Sequence, residues 1–206
     1  MKIGIYGGSF NPPHLGHRRL ADFMCESLQL DTCIIMPAFV SPFKVQSQSM
    51  AAAEHRLQMC RQAFPAPQYE VSDLEISVQQ TSYTLHTLQK LKVKYPDDEL
   101  FLIIGSDMLL TFNKWYCWQE ILKLCSLCAV SRCDGDTRQE LEAFAEKNLS
   151  AYGDVRIFSF SPLQISSTQL RESLRNGDDT GVFLHPSVAD YIREHALYIE
   201  ENKSDV

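Results

Sequence analysis

The chain has 206 residues, of which 45% are hydrophobic and 22% charged, and its formal net charge at pH 7 is −7. These values are typical of a globular protein, and they exclude a disordered chain and a basic surface for nucleic acid. The amino terminus lacks the apolar segment of a signal peptide, and no apolar run approaches the roughly 18 residues of a membrane span. We therefore expect one cytoplasmic domain over residues 1–206 with a disordered tail. We expect it to bind neither nucleic acid nor membrane, and its oligomeric state is left open.

Strand-like and helix-like segments alternate along the chain. Strands are predicted at residues 2–6, 32–36, 69–76, 99–104, 127–132 and 155–160. Helices are predicted near residues 14–30, 51–64, 82–95, 138–148, 167–176 and 186–195, with a tryptophan-rich helical segment before the fifth strand. This order predicts an α/β fold in which helices cover both faces of a mostly parallel sheet. Ligands of such folds bind beyond the carboxyl ends of the strands.

The first candidate site follows the first predicted strand and reads GGSFNPPHLGH. Gly7 and Gly8 are expected to let the backbone turn sharply, so that its amides point at phosphate oxygens. His14 and His17 stand three residues apart at a helix start, so their rings share one face of the first turn. Gly16 between them is expected to leave space for a nucleotide. Both rings can donate hydrogen bonds to phosphate oxygens as charge develops in a transition state.

Other interpretations of these residues are weaker. The segment contains neither G-x-G-x-x-G nor the P-loop pattern. Histidines could cap the helix or bind zinc, but zinc needs a third ligand, and none is near in sequence. Cys125 and Cys128 have the spacing of a zinc site, yet residues three apart on extended chain point to opposite faces of a sheet. Buried free thiols are the better prediction, and we expect no metal ligands from the protein.

With this opening motif the chain resembles the nucleotidylyltransferases that carry the HxGH signature, which are related to class I aminoacyl-tRNA synthetases. Among these it is most similar to the bacterial nicotinate mononucleotide adenylyltransferases, over essentially the whole chain. The resemblance implies a Rossmann-like, doubly wound fold. It also implies in-line attack of the nicotinate mononucleotide phosphate on the α-phosphorus of ATP, without a covalent enzyme intermediate. The products would be deamido-NAD and pyrophosphate, in a step of NAD biosynthesis, and Mg²⁺ would arrive on the triphosphate.

Two further segments extend the predicted ATP site. Residues 165–171 match the ISSTxxR motif of the family, in which hydroxyl groups cap a helix or bind phosphate and Arg171 grips the triphosphate. Asp107, in the Gly105-x-Asp107 segment after a central strand, could accept a hydrogen bond from a ribose hydroxyl or an adenine amino group. His14, His17 and Arg171 are the predicted catalytic residues. The predicted ATP-binding residues are Gly7, Gly8, Ser9, Phe10, His14, Gly16, His17, Gly105, Asp107, Ile165, Ser166, Ser167, Thr168 and Arg171.

The resemblance also supplies the residues for the second substrate. In the family a tryptophan stacks on the nicotinate ring, and backbone amides near a Ser-Tyr-Thr segment bind its carboxylate. These positions are Trp115, with Tyr116 beside it, and Ser82, Tyr83 and Thr84 at a predicted helix start.

Two basic residues are candidates for the mononucleotide phosphate. Lys44 is predicted to reach it, and Arg56 could do the same or pair with nearby acids. The segment 185–192 is expected to contribute packing. Nicotinamide mononucleotide and phosphopantetheine remain alternative acceptors, and a catalytically silent nucleotide-binding protein is the alternative from a different functional class.

Overall fold

The computed structural model describes residues 1–40, 50–131, 137–161, 163 and 165–199, so the predicted tail lies outside the described residues. Within them a six-stranded sheet has the order β3-β2-β1-β4-β5-β6, and every neighbouring pair is parallel. The strands are β1 (Lys2–Gly8), β2 (Thr32–Pro37), β3 (Tyr69–Val71), β4 (Glu99–Gly105), β5 (Ser126–Ser131) and β6 (Val155–Ser159). The strand order reverses between β1 and β4, which confirms the doubly wound prediction.

Eight α-helices of the described residues connect and cover these strands. They are α1 (Leu15–Leu28), α2 (Ala53–Ala63), α3 (Thr84–Lys94), α4 (Ser106–Leu109), α5 (Trp118–Leu124), α6 (Arg138–Asn148), α7 (Ser167–Asn176) and α8 (Pro186–Glu194). Residues of α1, α2, α7 and α8 pack in one apolar cluster, and residues of α3, α4, α5 and α6 pack in another. The sheet therefore has a core on each face. No helix in the described ranges is both long and apolar enough for a membrane crossing.

Most predicted elements agree with the structure to within one or two residues at each end, and three differences concern the region of the candidate site or the break of an element. β3 ends at Val71, because Ser72 and Asp73 bind the following backbone in turns: the Ser72 hydroxyl accepts from the Leu74 amide at 3.3 Å, and the Asp73 carbonyl accepts from the Ser77 amide at 2.8 Å. β1 runs two residues beyond its predicted end and pairs with β2 there. The tryptophan-rich segment is broken into α4, a 3₁₀ turn and α5, with Cys117 in a left-handed conformation at φ 49°.

Cys125 and Cys128 lie in different apolar clusters, on opposite faces of the sheet, as their spacing predicted. Burial raises the pKa of each thiol to about 12. Both thiols are therefore protonated at neutral pH, which makes them poor metal ligands.

Arg56 on α2 is buried at the carboxyl ends of β1 and β2, with 1% of its surface exposed. Its guanidinium donates hydrogen bonds to four backbone carbonyls, those of Ser9 (2.8 Å), Ala38 (2.7 Å), Phe39 (3.0 Å) and Ala51 (3.1 Å). Burial lowers its pKa from the ordinary value of arginine, yet the group stays charged at neutral pH. Neither role considered from the sequence, phosphate ligand or ion pair, describes these contacts: Arg56 joins two strand ends to α2.

We predict that Arg56→Met lowers the free energy of unfolding by about 3–5 kcal/mol, since each buried carbonyl left without a donor costs about 1–3 kcal/mol. Urea unfolding followed by circular dichroism measures the change. Arg61→Met, at an exposed position on the same helix, is the matched control and should change stability by less than about 0.5 kcal/mol. Equal effects of the two substitutions would contradict the role given to Arg56.

Candidate active site

The first motif begins inside a strand rather than in a turn. Gly7 and Gly8 belong to β1 and pair in register with Met36 and Pro37 of β2, so the sharp turn expected at the two glycines is wrong. The left-handed residue is Phe10, with φ 45°. A Cβ on Gly8 would lie 3.1 Å from the Phe10 ring, so glycine there lets the chain fold back closely on itself.

The Phe10 side chain lies in the core, with 1% of its surface exposed. Its ring centroid is 5.5 Å from that of Tyr6, 5.1 Å from that of His17 and 6.0 Å from that of Phe64. Only the Phe10 backbone is thus left for the predicted contact with ATP. The side chain supports the His17 ring from the core side.

The two histidines of the motif lie together at the start of α1. His14 is the N-cap residue, and its ring centroid is 3.7 Å from that of His17. The His14 backbone N–H donates to His17 Nδ1 at 3.2 Å. Because a backbone N–H is always a donor, His17 Nδ1 accepts, and the neutral ring carries its proton on Nε2. Capping therefore uses Nδ1 of the His17 ring, and the predicted phosphate contact would use Nε2.

Gly16 has no side chain to collide with the His14 ring, which packs directly against it. A Cβ at this position would lie 2.9 Å from His14 Nδ1 and 3.6 Å from Cγ2 of Ile165. The space beside Gly16, expected to be open for a nucleotide, is thus occupied by the His14 imidazole. The glycine keeps His14 close against the first turn of α1, next to the second motif.

The second motif meets the first across the sheet edge. Ser166 is the N-cap of α7, and its hydroxyl accepts from the Gln169 amide at 3.2 Å, so this side chain has the capping role. The Ser167 hydroxyl donates to the Pro12 carbonyl at 3.2 Å. α7 is thereby held against the loop between β1 and α1.

Arg171 lies one turn further along α7 and is half-buried. Its Nη1 donates to the Asn11 carbonyl at 2.8 Å, and its Nη2 donates to the Thr168 hydroxyl at 3.3 Å. Burial lowers the pKa of this guanidinium, which nevertheless remains charged at neutral pH. Its buried Nε has no hydrogen-bond partner among the described residues. The structure therefore brings a fixed positive charge to the motif that contains His14 and His17.

The third predicted ATP segment lies at the end of β4. Gly105 is the N-cap of α4, and Asp107 is exposed in the first turn of that short helix. Since β1 pairs with β4, both loops leave the same edge of the sheet at the point where the strand order reverses. This is where the fold predicts a ligand.

Two of the residues predicted for the mononucleotide, Tyr83 and Tyr116, form a second group with His86 at the start of α3. The Tyr83 and Tyr116 rings, both exposed, lie 5.3 Å apart, and His86 lies 5.9 Å and 5.8 Å from them. Trp115 is half-buried and packs on Phe112 at 5.0 Å. Sequence reasoning missed His86, which belongs to no motif; its position three residues after Tyr83 was the available signal.

A cavity of about 650 Å³ opens beside this aromatic group and is lined by Phe39, Val40, Gln79, Gln80, Thr81, Tyr83 and His86. The Ser82 hydroxyl accepts from the Phe39 amide at 3.1 Å and also contacts the half-buried Glu75 carboxyl, whose pKa is raised by its partial burial. The Ser82 side chain is therefore engaged within the protein. The amides of His86 and Thr87 donate to the Tyr83 carbonyl, so the amides of Tyr83 and Thr84 are the candidates for an anion at this helix start. Lys44 lies outside the described residues.

Comparisons with known proteins agree in both sequence and fold. The family "Cytidylyltransferase-like" matches residues 5–173. A Shewanella sp. (strain MR-4) protein named "Probable nicotinate-nucleotide adenylyltransferase" is 35% identical over 212 residues, covering 96% of this chain and 99% of that protein. A protein of the same name from Bacteroides fragilis (strain YCH46) is 35% identical over 204 residues, covering 98% of this chain and 96% of that one.

One solved structure shows the same fold at low sequence identity. It is titled "Plasmodium falciparum nicotinic acid mononucleotide adenylyltransferase complexed with NaAD" and has a TM-score of 0.76 at 20% identity, covering 96% of this chain and 97% of its own.

Gly16→Ala tests the packing of the histidine pair. The added methyl group would displace the His14 ring, so we predict that kcat for nucleotidyl transfer falls at least about tenfold, because small misplacements of catalytic groups are costly. Alanine favours a helix by about 0.5–1 kcal/mol over glycine, so the free energy of unfolding should hold or rise. Normal kcat in the variant would contradict the role given to Gly16 in positioning His14. Loss of both activity and stability would contradict the expectation that the substitution affects only the His14 ring.

Proposed function

The chain belongs to the cytidylyltransferase-like family and, within it, to the nicotinate-nucleotide adenylyltransferases, and from this premise we propose that it transfers the adenylyl group of ATP to nicotinate mononucleotide. The products are nicotinate adenine dinucleotide and pyrophosphate, and the reaction is a step of NAD biosynthesis. The six described cysteines are free, which favours a reducing compartment, and we place the enzyme in the cytoplasm.

One observation carries this proposal: two motifs distant in sequence converge at the reversal point of the sheet. The hydrogen bond from Arg171 Nη1 to the Asn11 carbonyl joins residues 160 positions apart. It brings a guanidinium to the loop that leads into His14 and, one turn into α1, His17. Three groups able to bind phosphate oxygens are thus assembled on two helix starts, α1 and α7, whose backbone amides favour anions in addition.

The proposed chemistry requires no nucleophile from the protein. The phosphate of the mononucleotide attacks the α-phosphorus in line, a bond to pyrophosphate breaks, and catalysis rests on positioning and charge neutralisation. His17 makes the main transition-state contact through Nε2–H. His14 and Arg171 bind the pyrophosphate side, and Lys44 binds the incoming phosphate.

Mg²⁺ enters this scheme with ATP. Among the described residues no group of three or more His, Cys, Asp or Glu side chains could hold a metal ion. A cation carried mainly by the triphosphate, with water as further ligands, is compatible with that donor set. When bound it would neutralise charge on the triphosphate, while the binding and orientation described above belong to the protein's own residues.

The aromatic group around α3 is the proposed site for the pyridine ring and its carboxylate. Trp115 and Tyr116 supply ring surface, which suits a flat heterocycle. The amide groups of residues 83 and 84 supply donors to the carboxylate. The preference for nicotinate over nicotinamide then follows from a helix start that favours an anion.

A pyrophosphate-release assay with ATP against nicotinate mononucleotide, nicotinamide mononucleotide and phosphopantetheine tests the proposal. We expect the highest kcat/KM with the nicotinate form. His17→Ala should lose roughly 10²–10⁴-fold in kcat while staying folded, as expected for loss of one transition-state donor. His195→Ala, at an exposed position on the C-cap of α8, is the control and should keep wild-type turnover. Turnover with none of the acceptors, or normal kcat for His17→Ala, would refute the assignment.

A further inference from the structure

The chain beyond α8 returns to the first motif. The Tyr198 hydroxyl donates to Asn11 Oδ1 at 2.7 Å, across 187 residues of sequence. Asn11 is buried, with 4% of its surface exposed. Ala196 and Tyr198 both adopt left-handed conformations, with φ 48° and 64°, which residues with a Cβ seldom adopt. The segment thus takes an unfavourable path that ends with a phenol in the active-site loop.

The direction of this hydrogen bond follows from a second contact of Asn11. The backbone N–H of Ala51 donates to the same Oδ1 at 3.0 Å. An amide N–H cannot accept, so the Asn11 atom that meets it is the oxygen, and Tyr198 must donate. Burial raises the pKa of Tyr198 above its ordinary value, so the phenol keeps its proton at neutral pH.

Asn11 links this phenol to the catalytic arginine. Its side chain is held by Tyr198 and by the Ala51 amide just before α2, while its carbonyl accepts from Arg171 Nη1 at 2.8 Å. The peptide that orients the Arg171 guanidinium is therefore fixed through the Asn11 side chain.

We propose that Tyr198 is a positioning residue for adenylyl transfer: its hydroxyl holds Asn11, and Asn11 holds the Arg171 guanidinium for the triphosphate. This inference rests on the proposed function. Tyr198 lies beyond the 185–192 segment, where Val188 and Ile192 of α8 are buried as expected for packing. The residues after α8 thus serve the active site as well as the core.

Tyr198→Phe keeps the ring and removes the one hydroxyl. We expect the kcat/KM for ATP to fall about five- to tenfold, and the Kd for ATP·Mg²⁺ to rise comparably, the effect of one lost hydrogen bond. The KM for nicotinate mononucleotide should not change. Tyr191→Phe is the matched control, because the Tyr191 hydroxyl lies 3.0 Å from His55 Nδ1 in the contact between α8 and α2. This control should keep wild-type kinetics.

A double-mutant cycle separates positioning from general support. If Tyr198 acts through Arg171, adding Tyr198→Phe to Arg171→Met produces no further rise in the Kd for ATP and no further fall in kcat/KM. The same loss in both backgrounds, or a Tyr198→Phe protein with wild-type Kd and kcat/KM, would overturn the proposal. Calorimetric Kd values decide this even if wild-type protein turns over none of the acceptors, a result that would refute the proposed function instead.

Discussion

One buried cation reinforces the backbone pairing that joins the carboxyl ends of β1 and β2. Arg56 lies on α2 and donates to the Ser9 carbonyl after β1 and to the Ala38 carbonyl after β2. Carbonyls beyond the end of a strand have no partner in the sheet, so they need a donor from elsewhere. The loop of the first motif begins at Ser9, at this contact with Arg56. The left-handed Phe10, the buried Asn11 and the start of α1 follow within a few residues, and each has its place because the strand ends do not move apart.

Several residues of the site combine a structural role with a proposed chemical role. His14 and Ser166 are N-caps, and His17 accepts the His14 amide with one nitrogen while the other remains a donor. Such sharing suits a chain with a net charge of −7, which disfavours anionic substrates at long range. In the proposed function, local donors at the helix starts, together with Arg171, supply the attraction for a triphosphate. Fixing these donors before the ligand arrives lowers the reorganisation that the reaction requires.

The sequence predicted the fold well because periodicity and motifs are local. The bounds of α6 and α7 agree with prediction, and the opposite orientation of Cys125 and Cys128 follows from strand geometry alone. Arg56 could not be assigned, since its partners are backbone carbonyls from three separate segments. The role of Tyr198 was likewise invisible, because it depends on a contact across 187 residues. Two consecutive glycines such as Gly7 and Gly8 are compatible with both a strand end and a turn, so their sequence does not distinguish the two.

The proposed function requires that the triphosphate of ATP binds at the histidine pair of the first motif. Imidazole ¹⁵N and ¹³C resonances, recorded while a non-hydrolysable ATP analogue is added with Mg²⁺, test it most directly. We expect the signals of His14 and His17 to shift with saturation, His17 retaining its proton on Nε2, while those of His55 and His195, which contact each other between α2 and α8, stay in place. Unchanged His14 and His17 signals at saturating analogue, or shifts confined to His55 and His195, would contradict the account.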